Sequence, residues 1–201
     1  TAEAIEKGTI ACVYAGEDEI STYKYNMQVH VGSYEGGNQK TSRTGAEYIE
    51  ILPEYKTKID NWAFNRLFVI SRKSGLNEDS IIENFQLAFE RFGCNFFVVD
   101  NLMKLVASKD TTNVNFRQTQ VMNRLTDFAA STGAIVYVIA HTNKTDDERS
   151  PPKTSRDVAG AKEIVNLCDA AINIFRVPDD LKTEYGNFDA VITILENRVF
   201  G

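Results

Sequence analysis

The stretch Asn95-Phe96-Phe97-Val98-Val99-Asp100-Asn101-Leu102 constrains this chain more than any other, because the pentapeptide inside it is four consecutive apolar residues ending on a single carboxylate. A strand with one solvated face alternates apolar with polar residues. A continuous apolar run of this length instead reads as a central strand of a parallel sheet, covered on both faces. Ligands of such sheets gather beyond the carboxyl ends of the strands. Asp100 therefore falls on the edge where nucleoside triphosphatases keep the acid that holds Mg²⁺ through its water shell. An aspartate at a strand end also serves simply to cap the following loop, and the pentapeptide alone leaves both readings open.

The rest of the chain repeats the alternation of strand and helix. Apolar runs at 9–15, 67–70, 134–140, 170–175 and 190–195 read as further strands, those at 9–15 and 134–140 as buried ones. Helices are expected over 20–31, over most of 46–63, from the capping chemistry of Asn77-Glu78-Asp79-Ser80 to near Gly93, over 115–131 closed by Gly133, and over 162–167. Pro53 must interrupt the second of these or start a new helix. Segments 32–45, 108–113 and 142–155 are polar and read as loops. Asp179-Asp180 and Gly186-Asn187 suit a hairpin between the last two strands. The expected fold is α/β: mostly parallel central strands flanked by helices, with a C-terminal antiparallel hairpin at one edge.

At 201 residues and 43% hydrophobic, the chain can bury one sizeable core, so residues 1–201 are expected to form one domain. No segment approaches the roughly 18 uninterrupted apolar residues that span a bilayer, and Thr1-Ala2-Glu3-Ala4 has no secretory signal character. With no starting Met, the chain is expected to be a fragment or a processed product. Cys12, Cys94 and Cys168 lie in or beside apolar runs without metal-ligand spacing, as small buried hydrophobes of a reducing, cytoplasmic compartment would. The net charge of −6 argues against a surface coated for nucleic acid, though not against a local basic strip lining a channel.

Four polar residues follow strand ends: Glu17, Asp100, His141 and Arg198. Together they compose a triphosphate-hydrolysis set, with one carboxylate to orient water, one for Mg²⁺, a γ-phosphate donor and a cation for the transition state. Each also has a structural reading. Glu17 can favour the positive end of the next helix, His141 can be an ordinary hydrogen-bonded histidine, and Arg198 can pair with Glu196 or stay solvated. A G-x-x-x-x-G-K-[ST] phosphate loop is missing. Its nearest imitation, Gly36-Gly37-Asn38-Gln39-Lys40-Thr41-Ser42, has the wrong spacing and does not join a buried strand to a helix.

In order and spacing these motifs resemble the RecA-like motor domain of hexameric replicative DNA helicases, the DnaB and Twinkle group that includes phage primase-helicases. Phe97-Val98-Val99-Asp100-Asn101-Leu102 is similar to the family's Walker B strand, and Ile139-Ala140-His141-Thr142-Asn143-Lys144 to its strand with a phosphate-sensing histidine. The helix end Leu125-Thr126-Asp127-Phe128-Ala129-Ala130-Ser131-Thr132-Gly133 resembles that of the phage members. Asp157-Val158-Ala159-Gly160, with Asn166 and Asp169, resembles D-L-R-G-S-G…Q…D; Leu195-Glu196-Asn197-Arg198-Val199-Phe200-Gly201 resembles K-x-R-F-x-G. The likeness covers the whole chain and is strongest over 95–169. It departs from the family at Ala159, where arginine is common, at Asn166 for glutamine, and at Glu196 for lysine.

The resemblance implies ATP or another NTP with Mg²⁺ as cofactors, Asp100 ordering the metal's water shell and Glu17 polarising the attacking water. It implies His141 and Asn166 as γ-phosphate sensors and Arg198 as a finger acting on the neighbouring subunit's nucleotide. Single-stranded DNA would run through a homo-hexameric ring and meet Lys144, Arg149, Lys153, Arg156 and Lys162, in a bacterial or phage-infected cell and with a primase or loader as a possible partner. The phosphate loop would then lie upstream of Thr1, so the 201 residues alone are expected not to hydrolyse ATP. Two rivals stay open: a plasmid-type hexameric replication ATPase, which Ala15-Gly16-Glu17-Asp18 would suit, and a non-hydrolysing mediator of replication or recombination on the same fold.

Overall fold

The computed structural model describes residues 1–71, 78, 80–106, 114–141 and 162–198. The chain divides into two compact units, Thr1–Leu105 with Phe128–Ile139, and Val106–Asp127 with Ala140–Gly201.

The first unit opens with a short helix, α1 (Ala2–Glu6), and is built on a four-stranded parallel sheet. Its strands are β1 (Ala11–Ala15), β4 (Leu67–Ser71), β5 (Phe96–Asp100) and β6 (Ile135–Val138), in the order β4-β1-β5-β6. Every residue of β1 is at most 1% exposed, and Phe97 and Val99 of β5 are fully buried. This is the two-sided burial that their continuous apolar sequences require. The register pairs Val13 with Val69 on one side and Val98 on the other, and Ala15 with Ser71 and Asp100, so these strands end level with one another.

β6 corrects the sequence-based expectation of a buried strand. It occupies an outer position of the sheet, and Ile135 and Tyr137 are more than half exposed. An apolar run reports hydrophobicity, not how many neighbours a strand has.

Helix α4 (Ser80–Phe92) and helix α6 (Val114–Thr132) agree with expectation to within one or two residues at the ends compared, each followed by a glycine at φ +69°. In this unit Phe128 of α6 packs edge-on against Phe97 at 4.9 Å, and Phe85 of α4 lies 4.8 Å from the same ring. These aromatic contacts hold the two helices against β5.

Residues 32–63 differ most from expectation. Helix α2 (Ile20–Gly36) runs past residue 31, and β2 (Gly37–Thr41) and β3 (Glu47–Ile51) form an antiparallel hairpin where a loop and a helix were expected. Ile49-Glu50-Ile51 alternates apolar with polar, which sets the two isoleucines on one face of a strand. Ile51 is 1% exposed, and the Tyr25 hydroxyl donates to the Ile49 carbonyl at 2.9 Å. Gly36 continues α2 because Tyr55 of α3 (Pro53–Ala63) packs onto its bare Cα, where no Cβ would fit. Pro53 starts α3, the second of its two expected options.

The second unit contains α7 (Lys162–Asn166) and a hairpin of β7 (Ala170–Arg176) and β8 (Ala190–Asn197), joined through a turn of 3-10 helix at Asp179–Leu181. β7 and β8 pair antiparallel, as expected, in a two-stranded sheet with a register shift between Ala171 and Ile172. The pairs Ile172 with Ile194 and Ile174 with Ile192 give this hairpin one isoleucine face. Thr126 donates to the Leu167 carbonyl at 3.3 Å, tying α6 to the end of α7 within this unit. Among the described residues no helix is long and apolar enough to cross a membrane.

Candidate active site

β1 and β5 are adjacent, parallel and level at their carboxyl ends, so the residues that follow them meet at one edge of the sheet. The Gly16 backbone N–H donates to the Asp100 carbonyl, fastening the turn after β1 to the end of β5. This turn tolerates no side chain at Gly16. A Cβ there would lie 2.8 Å from Tyr14 Cε1, 2.9 Å from the Asp100 oxygen and 3.0 Å from Lys104 Cβ. Ala15-Gly16-Glu17 is thus shaped by close approach to the acid-bearing strand, and it carries the Glu17 carboxylate to that same edge.

Glu17 is exposed and Asp100 is half-buried. Asn101, next to Asp100 in the chain and fully buried, donates from Nδ2 to Glu17 Oε1 at 2.6 Å. Its Oδ1 accepts the Lys104 backbone N–H at 2.9 Å, a helix cap for α5 (Leu102–Leu105). The peptide bond joining Asp100 to Asn101 is cis. Burial pushes the Tyr23 phenol above its ordinary range; a hydrogen bond with Thr1 opposes the shift and the negative charge of Asp100 adds to it.

β6 runs parallel to β5 and leaves the sheet at the same edge. Its backbone continues past the strand: Ile139 donates to the Val99 carbonyl at 3.0 Å, and the Ile139 carbonyl accepts from Leu102 at 3.0 Å. His141, two residues further along the chain, is exposed.

In the second unit Asn166 is the last residue of α7, and Arg198 follows β8 directly. The Arg198 guanidinium donates to the Asn166 carbonyl, and its backbone N–H donates to the Asp169 carbonyl at 2.8 Å. Two sequence-selected residues, Asn166 and Arg198, thus touch. Lys162 begins α7. Lys144, Arg149, Lys153 and Arg156, with the Asp157-Val158-Ala159-Gly160 segment, lie outside the described residues.

Gly16, Tyr23 and Asn101 were not singled out from sequence. Asn101 carried a signal all the same: an amide directly after a strand-terminal acid, at a helix start. Cys12 and Cys94 are buried free thiols, as expected, whereas Cys168 is half-buried. Burial pushes Cys12 up to about 12, with Cys94 adding to the effect, and pushes Cys94 up to about 11.

No family model and no curated protein matches the chain by sequence. Solved structures do match it. A DnaB-like replicative helicase, characterised with its interactions with primase, superposes with a TM-score of 0.70 at 12% identity, over 96% of this chain and 46% of that one. The chain shares its fold with these solved structures. A second solved structure, an ATPase domain, gives a TM-score of 0.69 at 11% identity, over 96% of this chain and 68% of that one. The chain therefore spans about half the length of the first DnaB-like structure it resembles.

Proposed function

We propose that residues 1–201 are the motor domain of a ring-forming replicative DNA helicase, in which nucleotide hydrolysis between subunits drives movement along single-stranded DNA. The observation that carries this reading is the Gly16 turn, which leads into Glu17 and is tied by its backbone N–H to the Asp100 carbonyl at the carboxyl edge of the parallel sheet. In such an enzyme ATP brings the phosphoryl group, and its Mg²⁺ neutralises the charge that develops as that group transfers.

The donor set fits a hydrated ion. A lone carboxylate at Asp100 suits Mg²⁺, which keeps most of its waters. Glu17, exposed and held at one oxygen by Asn101, presents its carboxylate to the attacking water and acts as its base. His141 and Asn166 contact the γ-phosphate end of the nucleotide and relay its loss to the segments beyond them. Arg198 acts on the nucleotide of the adjacent protomer in a homo-hexamer. Its contact with the Asn166 carbonyl links finger and sensor within one chain.

DNA is gripped by Lys144, Arg149, Lys153, Arg156 and Lys162 through phosphate neutralisation, which makes binding salt-sensitive. The working place is the cytoplasm of a bacterium or a phage-infected cell, with a primase or loader as a further partner. Single-stranded DNA should stimulate ATP turnover by the full-length protein, and duplex unwinding should depend on that turnover. Tight nucleotide and DNA binding without turnover would favour a non-hydrolysing mediator instead.

A further inference from the structure

The geometry points to Asn101 as the positioning residue that aims the Glu17 carboxylate, an inference that rests on the hydrolytic reading of the site. Three observations carry it. Asn101 is fully buried, so a polar group there must be satisfied by protein atoms. Its Oδ1 accepts the Lys104 N–H at 2.9 Å, and only the amide oxygen can accept, which assigns the orientation of the side chain. Nδ2 is thereby turned toward Glu17 Oε1, 2.6 Å away, across 84 positions of sequence.

The cap and the carboxylate contact are separate jobs done by opposite ends of one amide. The cap locks the amide to the start of α5, which follows the Asp100 strand directly. The donor then fixes Glu17 relative to that same strand. Glu17 is exposed, so loss of this donor removes a buried anchor from a carboxylate that solvent can reach. General-base catalysis contributes about 10²–10⁴-fold where the base is held within reach of its water. Loss of aim forfeits part of that factor while nucleotide contacts made elsewhere persist.

The two jobs can be separated by substitution. Asn101→Asp keeps an oxygen to cap α5 but places a carboxylate, an acceptor only, against Glu17. Asn101→Ala removes both functions. DNA-stimulated ATP hydrolysis by the full-length protein is measured for both variants from pH 5.5 to 8.5, alongside thermal unfolding. At neutral pH both should lose about tenfold or more in kcat, with KM for ATP within about twofold of wild type.

An Asn101→Asp protein that turns over like wild type at neutral pH would leave Asn101 a helix cap only and overturn the inference. So would matched losses of nucleotide binding and kcat in both variants. Absence of ATP turnover in the wild-type protein with single-stranded DNA present would remove the hydrolytic reading itself, and this inference with it.

Discussion

Gly16 and Asp100 are joined backbone to backbone, the N–H of the one donating to the carbonyl of the other, so the turn bearing Glu17 cannot move independently of the acid-bearing strand. A methyl group at position 16 would press on the Asp100 carbonyl, which belongs to a fully packed strand and has little room to yield. Gly16→Ala should therefore destabilise the fold by about 1–3 kcal/mol, the usual cost of overpacking. Urea denaturation measures it; an unchanged midpoint would mean the turn is looser than the contact implies.

Cys12 and Cys94 should resist thiol reagents in the folded protein and react at once in denaturant. Both are buried, with their thiols pushed up to about 12 and about 11. The sign of the stability effect follows from the direction of the shifts. A folded-state value raised above that of the unfolded chain contributes stability that is fully present below about pH 9 and is lost as the pH climbs through the folded values. Thermal midpoints of the wild type should thus fall between pH 9 and 11 more steeply than those of a Cys12→Ala, Cys94→Ala double variant. Parallel curves would contradict the assignment.

Much of this architecture was legible because it depends on local chemistry. The strands β1, β4 and β5 announce themselves as apolar runs, and α4 and α6 end at glycines with positive φ. The hairpin of β2 and β3 was missed for a physical reason. Gly36 and Gly37 suggest loop, yet Gly36 serves close packing against Tyr55, and only tertiary contact distinguishes the two uses. The exposure of β6 was hidden in the same way, since neighbour number is a property of the sheet and not of the strand. At the site, Glu17 and Asp100 could be chosen by position after strands, and Asn101 as a helix cap, but the pairing of Asn101 with Glu17 could not. The two lie 84 residues apart, and nothing local records that distance.

Arg198→Ala in the full-length protein should reduce ATP turnover by about 10³-fold or more, the scale on which an arginine finger acts, while nucleotide binding largely survives. Fluorescent-nucleotide titration set beside steady-state turnover distinguishes the cases. The contact of Arg198 with the Asn166 carbonyl makes the alternative concrete: equal loss of binding and turnover would mean that Arg198 serves chiefly to hold α7.

Charge reversal at Lys144 and Lys153 together should weaken single-stranded DNA binding and flatten its dependence on salt by about two phosphate contacts' worth of slope. Fluorescence anisotropy from about 50 to about 200 mM salt reads both quantities. Unchanged affinity would remove these lysines from the DNA path.

The most direct measurement is the turnover of Glu17→Gln in the full-length protein with ATP, Mg²⁺ and single-stranded DNA. The substitution keeps an oxygen for the Asn101 amide and removes only the basic carboxylate, so the geometry of the edge is preserved. kcat should fall by about 10²-fold or more with nucleotide affinity intact. Turnover equal to wild type would contradict this, because the carboxylate held by Asn101 would then have no part in the chemistry.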